Sequence, residues 1–524
     1  MEPARPQTPQ PEQSWRGWGD QANVPALPEA IVAALGGRGA PPVTEPGLPD
    51  SRLPEPVMSE LVAVCETRSD PEARLLHTRG KSTTDLLRIR SGEAADAPDL
   101  VVLPGSHEQV LELLRICTER HVVVVPFGGG TSVVGGLEPR ADGFAGVIAL
   151  DTRRMNALRA LDTESRLAEL EPGLRGPQAE QLLGERGYTI GHFPQSFEYA
   201  TIGGFAAARS SGQASAGYGR FDELVMATRV ATPIGALTLG RAPLTATGPD
   251  LRQLFLGSEG ALGIITSLTV QVRPAPERRV YEGWRFPSFR DGASTVRRLA
   301  QDGPRPTVLR LSDEPETAVG LAQPGEIGSG GAGALAIVGF EGAADEVGVR
   351  QDAVRCVLED AGAEFVPGAG EGWARDRYRG PYLRDALLDA GALADTLETA
   401  TFWSSVQALY ERVSSALRDS LSRQGTPPIV LCHISHVYAA GASLYFTVAC
   451  AQADDPVAQW RAAKEAAGEA ILAAGGSISH HHGVGRDHLS FYEREVGALA
   501  IDTLRAVKAR LDPAGILNPG ILVP

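Results

Sequence analysis

Three consecutive histidines, His480, His481 and His482, sit inside GGSISHHHGVGRDH. Imidazoles do two kinds of chemistry near neutral pH, proton transfer and metal ligation. In an extended segment His480 and His482 share one face while His481 points away, so only two of the three converge. Further ligands would have to come from His433, His436 or His488. Nothing of the H-E-x-x-H type is present, which makes zinc the secondary reading and a proton network the preferred one, with no metal expected.

A second stretch with chemical potential is VVVVPFGGGTSVVGG, Val122 to Gly136, in which a valine run drives into a glycine cluster. Successive amides at Gly128, Gly129 and Gly130 form a concave nest of N–H donors for an anion such as a phosphate, and Thr131 and Ser132 add hydroxyls. The loop lacks the lysine of G-x-x-x-x-G-K-[ST] and the spacing of G-x-G-x-x-G. A glycine run after a strand is more often a tight turn, so this loop alone does not decide the matter.

The elements that must position these groups follow an α/β rhythm from Asp99 onward. LVVLP reads as a strand, and SHEQVLELLRICTER as a helix opened by a capping box from Ser106 to Gln109. VVVVP, GVIALD and RLAELEPG read as further strands, with a helix at GPQAEQLLGERG. In SLTVQVRP, Leu268, Val270 and Val272 alternate with Thr269, Gln271 and Arg273, the period of a half-buried strand, and Pro274 and Pro276 mark a boundary. The stretch PGEIGSGGAGALA is expected to be a surface loop. SLYFTVACA alternates again, placing Leu444, Phe446 and Val448 on one face and Tyr445 and Thr447 on the less apolar one. A long helix from about Pro456 to Ala474 is stopped by Gly475 and Gly476, and a last helix ends at ARLDP.

The chain of 524 residues, 43% hydrophobic and 22% charged, is long enough for two or three domains. A formal net charge of -15 argues against a general nucleic-acid binder. The five cysteines are scattered, without a C-x-x-C pair, and fit reduced core thiols. No apolar run approaches the roughly 18 to 20 residues of a membrane span, and the N-terminus lacks a secretory layout. A cytoplasmic protein is expected, with a shallow membrane contact left open. Ten of the 38 prolines fall in the first fifty residues, so the opening is expected to be an extended or partly disordered arm, anchored by Trp15 and Trp18.

In order along the chain, GHFPQSFEYATIGGFAAARSSG, GYGRFDELV, TGPDLRQLFLGSEGALGIITSLTVQVRP and the ending RLDPAGILNPG follow the glycine loop. Together they resemble the FAD-binding domain of the vanillyl-alcohol oxidase/p-cresol methylhydroxylase family, over most of Ala97 to Pro274 plus the tail. The resemblance implies an α+β fold with a two-part FAD-binding domain and an α/β cap domain. It places the FAD pyrophosphate against Pro126, Phe127, Gly128, Gly129, Gly130, Thr131 and Ser132. The second flavin segment falls on Gln195, Ser196 and on to Thr201, and the third on Ala208, Arg209, Ser210 and Ser211. The fourth falls on Glu259, Gly260, Ala261, Leu262, Gly263, Ile264 and Ile265. Members that attach FAD covalently carry a histidine where this chain has Thr131, so noncovalent FAD is implied.

The second half resembles one branch, the alkylglycerone-phosphate synthases, from GWG at Gly17 nearly to the C-terminus. The 2-hydroxyacid dehydrogenase branch usually reads G-E-H-G-I-G at the triplet, preceded by H-x-G-D-G-N-x-H. Here the earlier stretch is HVYAAGASLYF, with Tyr445 close to that branch's second histidine. The synthase resemblance implies replacement of the acyl group of acyl-dihydroxyacetone phosphate by a long-chain alcohol, without net redox change. A base takes a proton from the carbon bearing the acyloxy group, the carboxylate leaves, and the ketone is held on the flavin until the alcohol attacks. Tyr445 matches the proton-transferring tyrosine. A phenol with pKa ~10 is a poor base near neutrality, so His481 and His482 are expected to assist it. Arg384, in YLRD, matches the arginine assigned to the substrate, where a guanidinium makes forked bonds to phosphate. Arg310 and His192 also match positions near the active site.

Each of these residues has a structural alternative. Tyr445 could be packing, Arg384 an ion-pair partner of Asp385 or Asp389, Arg310 a partner of Asp313 or Glu314, and His192 the cap of a turn. Animal synthases carry an aspartate at the place of Gln195 and an alanine at that of Ser211. The N-terminal R-L-x5-H-L peroxisomal address is absent, and LVP is no SKL signal.

The domain reading is an arm and helical segment over 1–96, the FAD domain over 97–274, the cap over 277–475, and a segment over 476–524 that carries the triplet back to the FAD domain. Lipid substrates, a peripheral membrane contact and a homodimer are implied by the resemblance. The rival function is a FAD-dependent dehydrogenase or oxidase of a 2-hydroxyacid or alcohol. A flavin-binding module without turnover is a third reading.

Overall fold

A computed structural model describes residues 3–7, 12–35, 46–320 and 331–524. The first strands are β1 (Glu66–Arg68), β2 (Leu100–Leu103), β3 (Val122–Phe127) and β4 (Gly146–Asp151), in a four-stranded sheet ordered β1-β2-β4-β3. The two pairs β2–β4 and β3–β4 are parallel. Such strands are covered on both faces, which explains why the runs LVVL and VVVV are continuously apolar. The helix His107–Arg120 begins with Ser106 accepting from the Gln109 amide, as expected, but the Gln109 side chain accepts from the Gly105 amide and not from that of Ser106. The capping box is therefore displaced by one residue on its return bond.

The next strands are β5 (Leu158–Asp162), β6 (Leu167–Leu170), β7 (Tyr188–Thr189), β8 (Val225–Thr232), β9 (Gly235–Leu239), β10 (Ile264–Gln271) and β11 (Arg273–Pro274). Five of them form a sheet ordered β5-β6-β10-β8-β9, and β7 pairs with β11. Leu268, Val270 and Val272 are buried while Gln271 is exposed, as the alternation predicts.

Seven strands build the largest sheet: β12 (Arg278–Phe286), β13 (Val308–Ser312), β14 (Ala334–Gly342), β15 (Glu364–Val366), β16 (Ala392–Phe402), β17 (Ile429–Val437) and β18 (Gly441–Ala451), ordered β15-β12-β14-β13-β17-β18-β16. The period-two pattern of β18 sorts its side chains. Leu444, Phe446 and Val448 enter a core shared with Leu409, Val413 and Leu417 of the helix Val406–Arg423 and Trp460 of the helix Pro456–Ala473. Tyr445 and Thr447 are left on the opposite face, where they line a cavity. The loop expected at PGEIGSGGAGALA falls mostly on 321–330, outside the described residues; its last residues, Ala334–Ala336, are not loop but the start of β14.

The two ends of the chain close the structure. Ile516 O accepts from Val124 N at 2.9 Å, and Asn518 Nδ2 donates to Gly136 O at 3.0 Å and Glu259 O at 2.9 Å. Near the N-terminus Trp18 is buried with Tyr199 and Tyr382, and Trp15 packs against Leu75, Ile89 and Ala94. Over 12–24 the arm is thus docked on the body, because its tryptophans find apolar partners there.

Candidate active site

One cavity of about 690 Å³ runs from the glycine loop to the face of the large sheet that carries Tyr445 and Thr447. Its floor is Pro126 to Ser132. At Gly129 an added Cβ would strike the backbone of Tyr199 and Ala200, and at Gly130, with φ +65, the ring of Phe127. The bare backbone is required for these segments to meet. Gln195, Ser196, Thr201, Ala208, Ser210, Glu259, Gly260, Gly263, Ile264 and Ile265 line the same space. Four predicted positions do not. Arg209 turns to Leu256 O at 2.8 Å and to Gln253, Ser211 Oγ bonds His436 Nδ1 at 3.1 Å, and Ala261 and Leu262 are core residues.

The lining has the properties of a dinucleotide site. The Gln195 amide nitrogen and the Ser258 hydroxyl are buried at the cavity and have no hydrogen-bond partner among the described residues. Such orphaned groups are costly unless a ligand meets them. With the backbone cradle of the glycine loop, they fit FAD.

The opposite wall carries the titratable groups. Tyr445, His481, His482, Arg310 and Arg384 line the cavity, whereas His480 and His192 stand behind it. His192 is enclosed by Phe205 and Phe221 with its Nε2 3.1 Å from Ser210 Oγ, and burial pushes its pKa down to about 3. Tyr445 donates to Thr396 Oγ1 at 2.9 Å and stacks on His433 with ring centres 5.0 Å apart. His481 and His482 lie 6.3 and 5.7 Å from its ring. The expectation that they would ease its ionisation does not hold. Burial, opposed by the Thr396 bond and reinforced by the charges of Asp395 and Glu398, pushes the phenol up to about 12. Burial also pushes His481 down, and with the neighbouring His481 it brings His482 down to about 3. The wall therefore presents a protonated phenol beside neutral imidazoles.

The extended-strand picture of the triplet is also corrected. Residues 480–482 form a bend wrapped around the carboxylate of Glu398, whose Oε1 accepts from Ser479 Oγ at 2.9 Å and from the amides of His480, His481 and His482 at 2.9, 3.0 and 2.9 Å. Burial opposes ionisation of Glu398, but the histidine row and these N–H donors hold it well below the usual carboxylate range. The adjacent His480 and His481 meet through their Nδ1 atoms at 3.0 Å, and His436 joins them, one ligand-type nitrogen of each lying within 4.8 Å of the others. Each ring is tied into hydrogen bonds, His480 Nε2 to Tyr438 at 2.8 Å and His436 Nδ1 to Ser215 at 2.8 Å.

Arg310 pairs with neither Asp313 nor Glu314. Its guanidinium binds Glu316 and stands 3.0 Å from His433 Nε2, while its Nε has no partner among the described residues. Arg384 is largely buried, holds Asp385 at 3.1 and 3.3 Å, and donates to Lys81 O at 2.5 Å. Glu398, Glu316 and Thr396 were not among the candidates. The signal for Glu398 was an acid inside the otherwise uncharged half-strand TLETATF; nothing local marked Thr396.

Two matches with known families cover most of the chain. The FAD binding domain matches residues 98–239, and the C-terminal domain of FAD linked oxidases matches 275–522. Fold and cavity define a flavoprotein of the p-cresol methylhydroxylase fold: a solved p-cresol methylhydroxylase superposes with a TM-score of 0.68 over 89% of this chain and 97% of its own, at 14% identity. FAD is its cofactor. The alkyldihydroxyacetonephosphate synthase of Trypanosoma brucei brucei is 32% identical over 98% of this chain and 92% of its own length. A solved alkyldihydroxyacetonephosphate synthase gives a TM-score of 0.83 at 31% identity, covering 97% of this chain and 98% of that one. The chain belongs to the alkyldihydroxyacetonephosphate synthase family.

Proposed function

We propose that this protein is a FAD-dependent ether-lipid-forming transferase that exchanges the acyl group of acyl-dihydroxyacetone phosphate for a long-chain alcohol. One C–O bond breaks and one forms, the alcohol proton departs with the carboxylate, and no electrons are gained or lost overall. The observation that carries this reading is the composition of a single cavity. It joins a phosphate-competent arginine, Arg384, to a protonated Tyr445 and neutral histidines. Its remaining wall includes the apolar Leu27, Ile31, Leu387 and Leu431, suited to an alkyl chain.

The residues divide the work. Arg384 has N–H groups to spare for the substrate phosphate beyond those held by Asp385 and Lys81 O. The imidazole of His481, neutral in this setting, accepts the proton from the substrate carbon, whereas His482, brought down to about 3, is too weak a base for that role. The Tyr445 hydroxyl donates to the oxygen of the reacting centre, a role that suits a phenol held protonated. His433, stacked on Tyr445 and fixed by Glu316 and Arg310, orients the ring. FAD, held along the glycine loop, would supply an electron-poor ring system. We assign residues 97–274 with the tail to the FAD-binding part and 277–475 to the cap, and we read the lipid substrates as arriving at a membrane surface on a cytoplasmic homodimer. Among the described residues no helix is long and apolar enough to cross a membrane.

The test is an anaerobic incubation of FAD-loaded protein with acyl-dihydroxyacetone phosphate and an isotopically labelled long-chain alcohol, read by mass spectrometry. Labelled alkyl-dihydroxyacetone phosphate, free fatty acid and oxidised flavin are expected. Absence of the ether product, with flavin bleached by 2-hydroxyacids, would move the protein to the dehydrogenase reading.

A further inference from the structure

The tripeptide Gly17-Trp18-Gly19 lies far in sequence from Arg384 and from the glycine loop, yet its three residues are each specified by the structure. A Cβ on Gly17 would strike the Oδ2 atom of Asp385. Gly19 adopts φ +52, and a Cβ there would strike the hydroxyls of Tyr199 and Tyr382. Trp18 is 3% exposed and meets Tyr199 edge-on at 5.7 Å. Its backbone N–H donates to Asp385 Oδ2 at 2.5 Å.

That last bond bears on Arg384. Asp385 is completely buried, and its other oxygen, Oδ1, accepts both Nε and Nη2 of Arg384. A carboxylate with both oxygens free would take the guanidinium in a two-oxygen fork. Here the Trp18 amide occupies one oxygen, so Arg384 is anchored by one oxygen only. Of its five N–H donors, one each on Nη1 and Nη2 remains for the cavity. The same segment also grips the flavin side. Gln13 Nε2 donates to Gly129 O at 2.5 Å in the glycine loop, and the Asp20 amide donates to Tyr199 Oη at 3.2 Å in the second flavin segment. Lys81, whose carbonyl accepts from Arg384, donates its ammonium to Ser14 O at 2.6 Å.

We propose that residues 12–20 form a positioning strap that holds Arg384 in register with the flavin loop by occupying Asp385, and so sets the preference for a phosphate-bearing substrate. The inference rests on the reading of Arg384 as the phosphate contact. Gly17 touches neither substrate nor cofactor, which makes Gly17→Ala the informative variant: its methyl group displaces Asp385 Oδ2 from the Trp18 amide. Steady-state exchange is measured on acyl-dihydroxyacetone phosphate and on acyl-dihydroxyacetone without phosphate, alongside bound-FAD absorbance.

Gly17→Ala should raise KM for the phosphorylated substrate roughly tenfold, the scale of one hydrogen bond to a charged group, with kcat little changed. The rate on the unphosphorylated analogue and the FAD content should stay as they are. Asp385→Asn, a second variant of unchanged shape, should raise the same KM. An unchanged KM in whichever of these variants retains FAD, or an equal loss on both substrates, overturns the inference. Arg384→Lys separates the two levels. If it leaves the phosphate preference intact, the reading of Arg384 falls; if it abolishes the preference while Gly17→Ala and Asp385→Asn keep it, the strap alone falls.

Discussion

Glu398 and Tyr445 are directly opposed residues on the antiparallel strands β16 and β18, so the carboxylate that gathers the histidine bend and the phenol of the cavity wall stand on the same face of one sheet. The pairing explains how a loop some forty residues beyond β18's hairpin partner is brought to Tyr445: Glu398 Oε1 receives three consecutive backbone amides and the Ser479 hydroxyl. Glu398→Gln removes the charge and replaces one acceptor oxygen with a donor. It should lower the exchange rate by about 10 to 100-fold and cost about 1–3 kcal/mol of stability, with FAD still bound. Rate assays and denaturant titrations on the same preparation check both halves, and a variant with wild-type rate would disconnect the bend from catalysis.

Tyr445→Phe keeps the ring stacked on His433 and removes only the hydroxyl that donates to Thr396. Loss of a general acid or base typically costs about 10² to 10⁴ in rate. We expect ether formation to fall into that range while the flavin spectrum and the melting temperature stay near wild type. Retained turnover would transfer the proton chemistry wholly to the histidines.

How much of this was legible beforehand depended on how local each feature is. The glycine loop, the alternation of β18 and the helix start at Ser106 are written in neighbouring residues. The partner of Arg310 was not. Asp313, adjacent and acidic, is used instead to cap the helix Glu314–Val319 by accepting from the Glu316 amide at 2.8 Å, which leaves Glu316 facing the arginine. Strand register placed Glu398 opposite Tyr445, and no residue pattern states a register between strands so far apart in the chain. The histidine triplet failed for a related reason: alternation holds in a strand, and these residues lie in a bend set by a carboxylate from elsewhere.

Gly129→Ala tests the cradle. Its Cβ would meet backbone atoms of Tyr199 and Ala200, which cannot swing aside as a side chain end can. The two flavin segments should be forced apart and the protein should purify with little or no FAD, read from the ratio of absorbance near 450 nm to that at 280 nm. Full flavin content would show that the cofactor does not need this close approach.

We read Thr131 as standing where covalently flavinylated members of the resembled family carry histidine, and a threonine hydroxyl does not form that link. Acid precipitation of the holoenzyme should therefore leave all the yellow colour in the supernatant. Flavin retained in the pellet would reveal an attachment through another side chain.

Glu259 sets a pH dependence whose sign can be worked out. The carboxyl is buried at the cavity and accepts from the amides of Val484 and Gly485, and burial outweighs these bonds to raise its pKa from 4.5 to about 7. Between those two values the unfolded chain gives up this proton while the folded one keeps it. The folded state then binds more protons, so stability falls as pH rises through that window and levels off above about 7. The full effect is on the order of 3 kcal/mol. Glu259→Gln removes the titration, so denaturant unfolding at pH 5 and pH 7.5 should show a larger loss for wild type than for the variant. Equal losses would mean that Glu259 is already ionised at pH 5, held there by the amides of the histidine segment, and that burial does not win at this site.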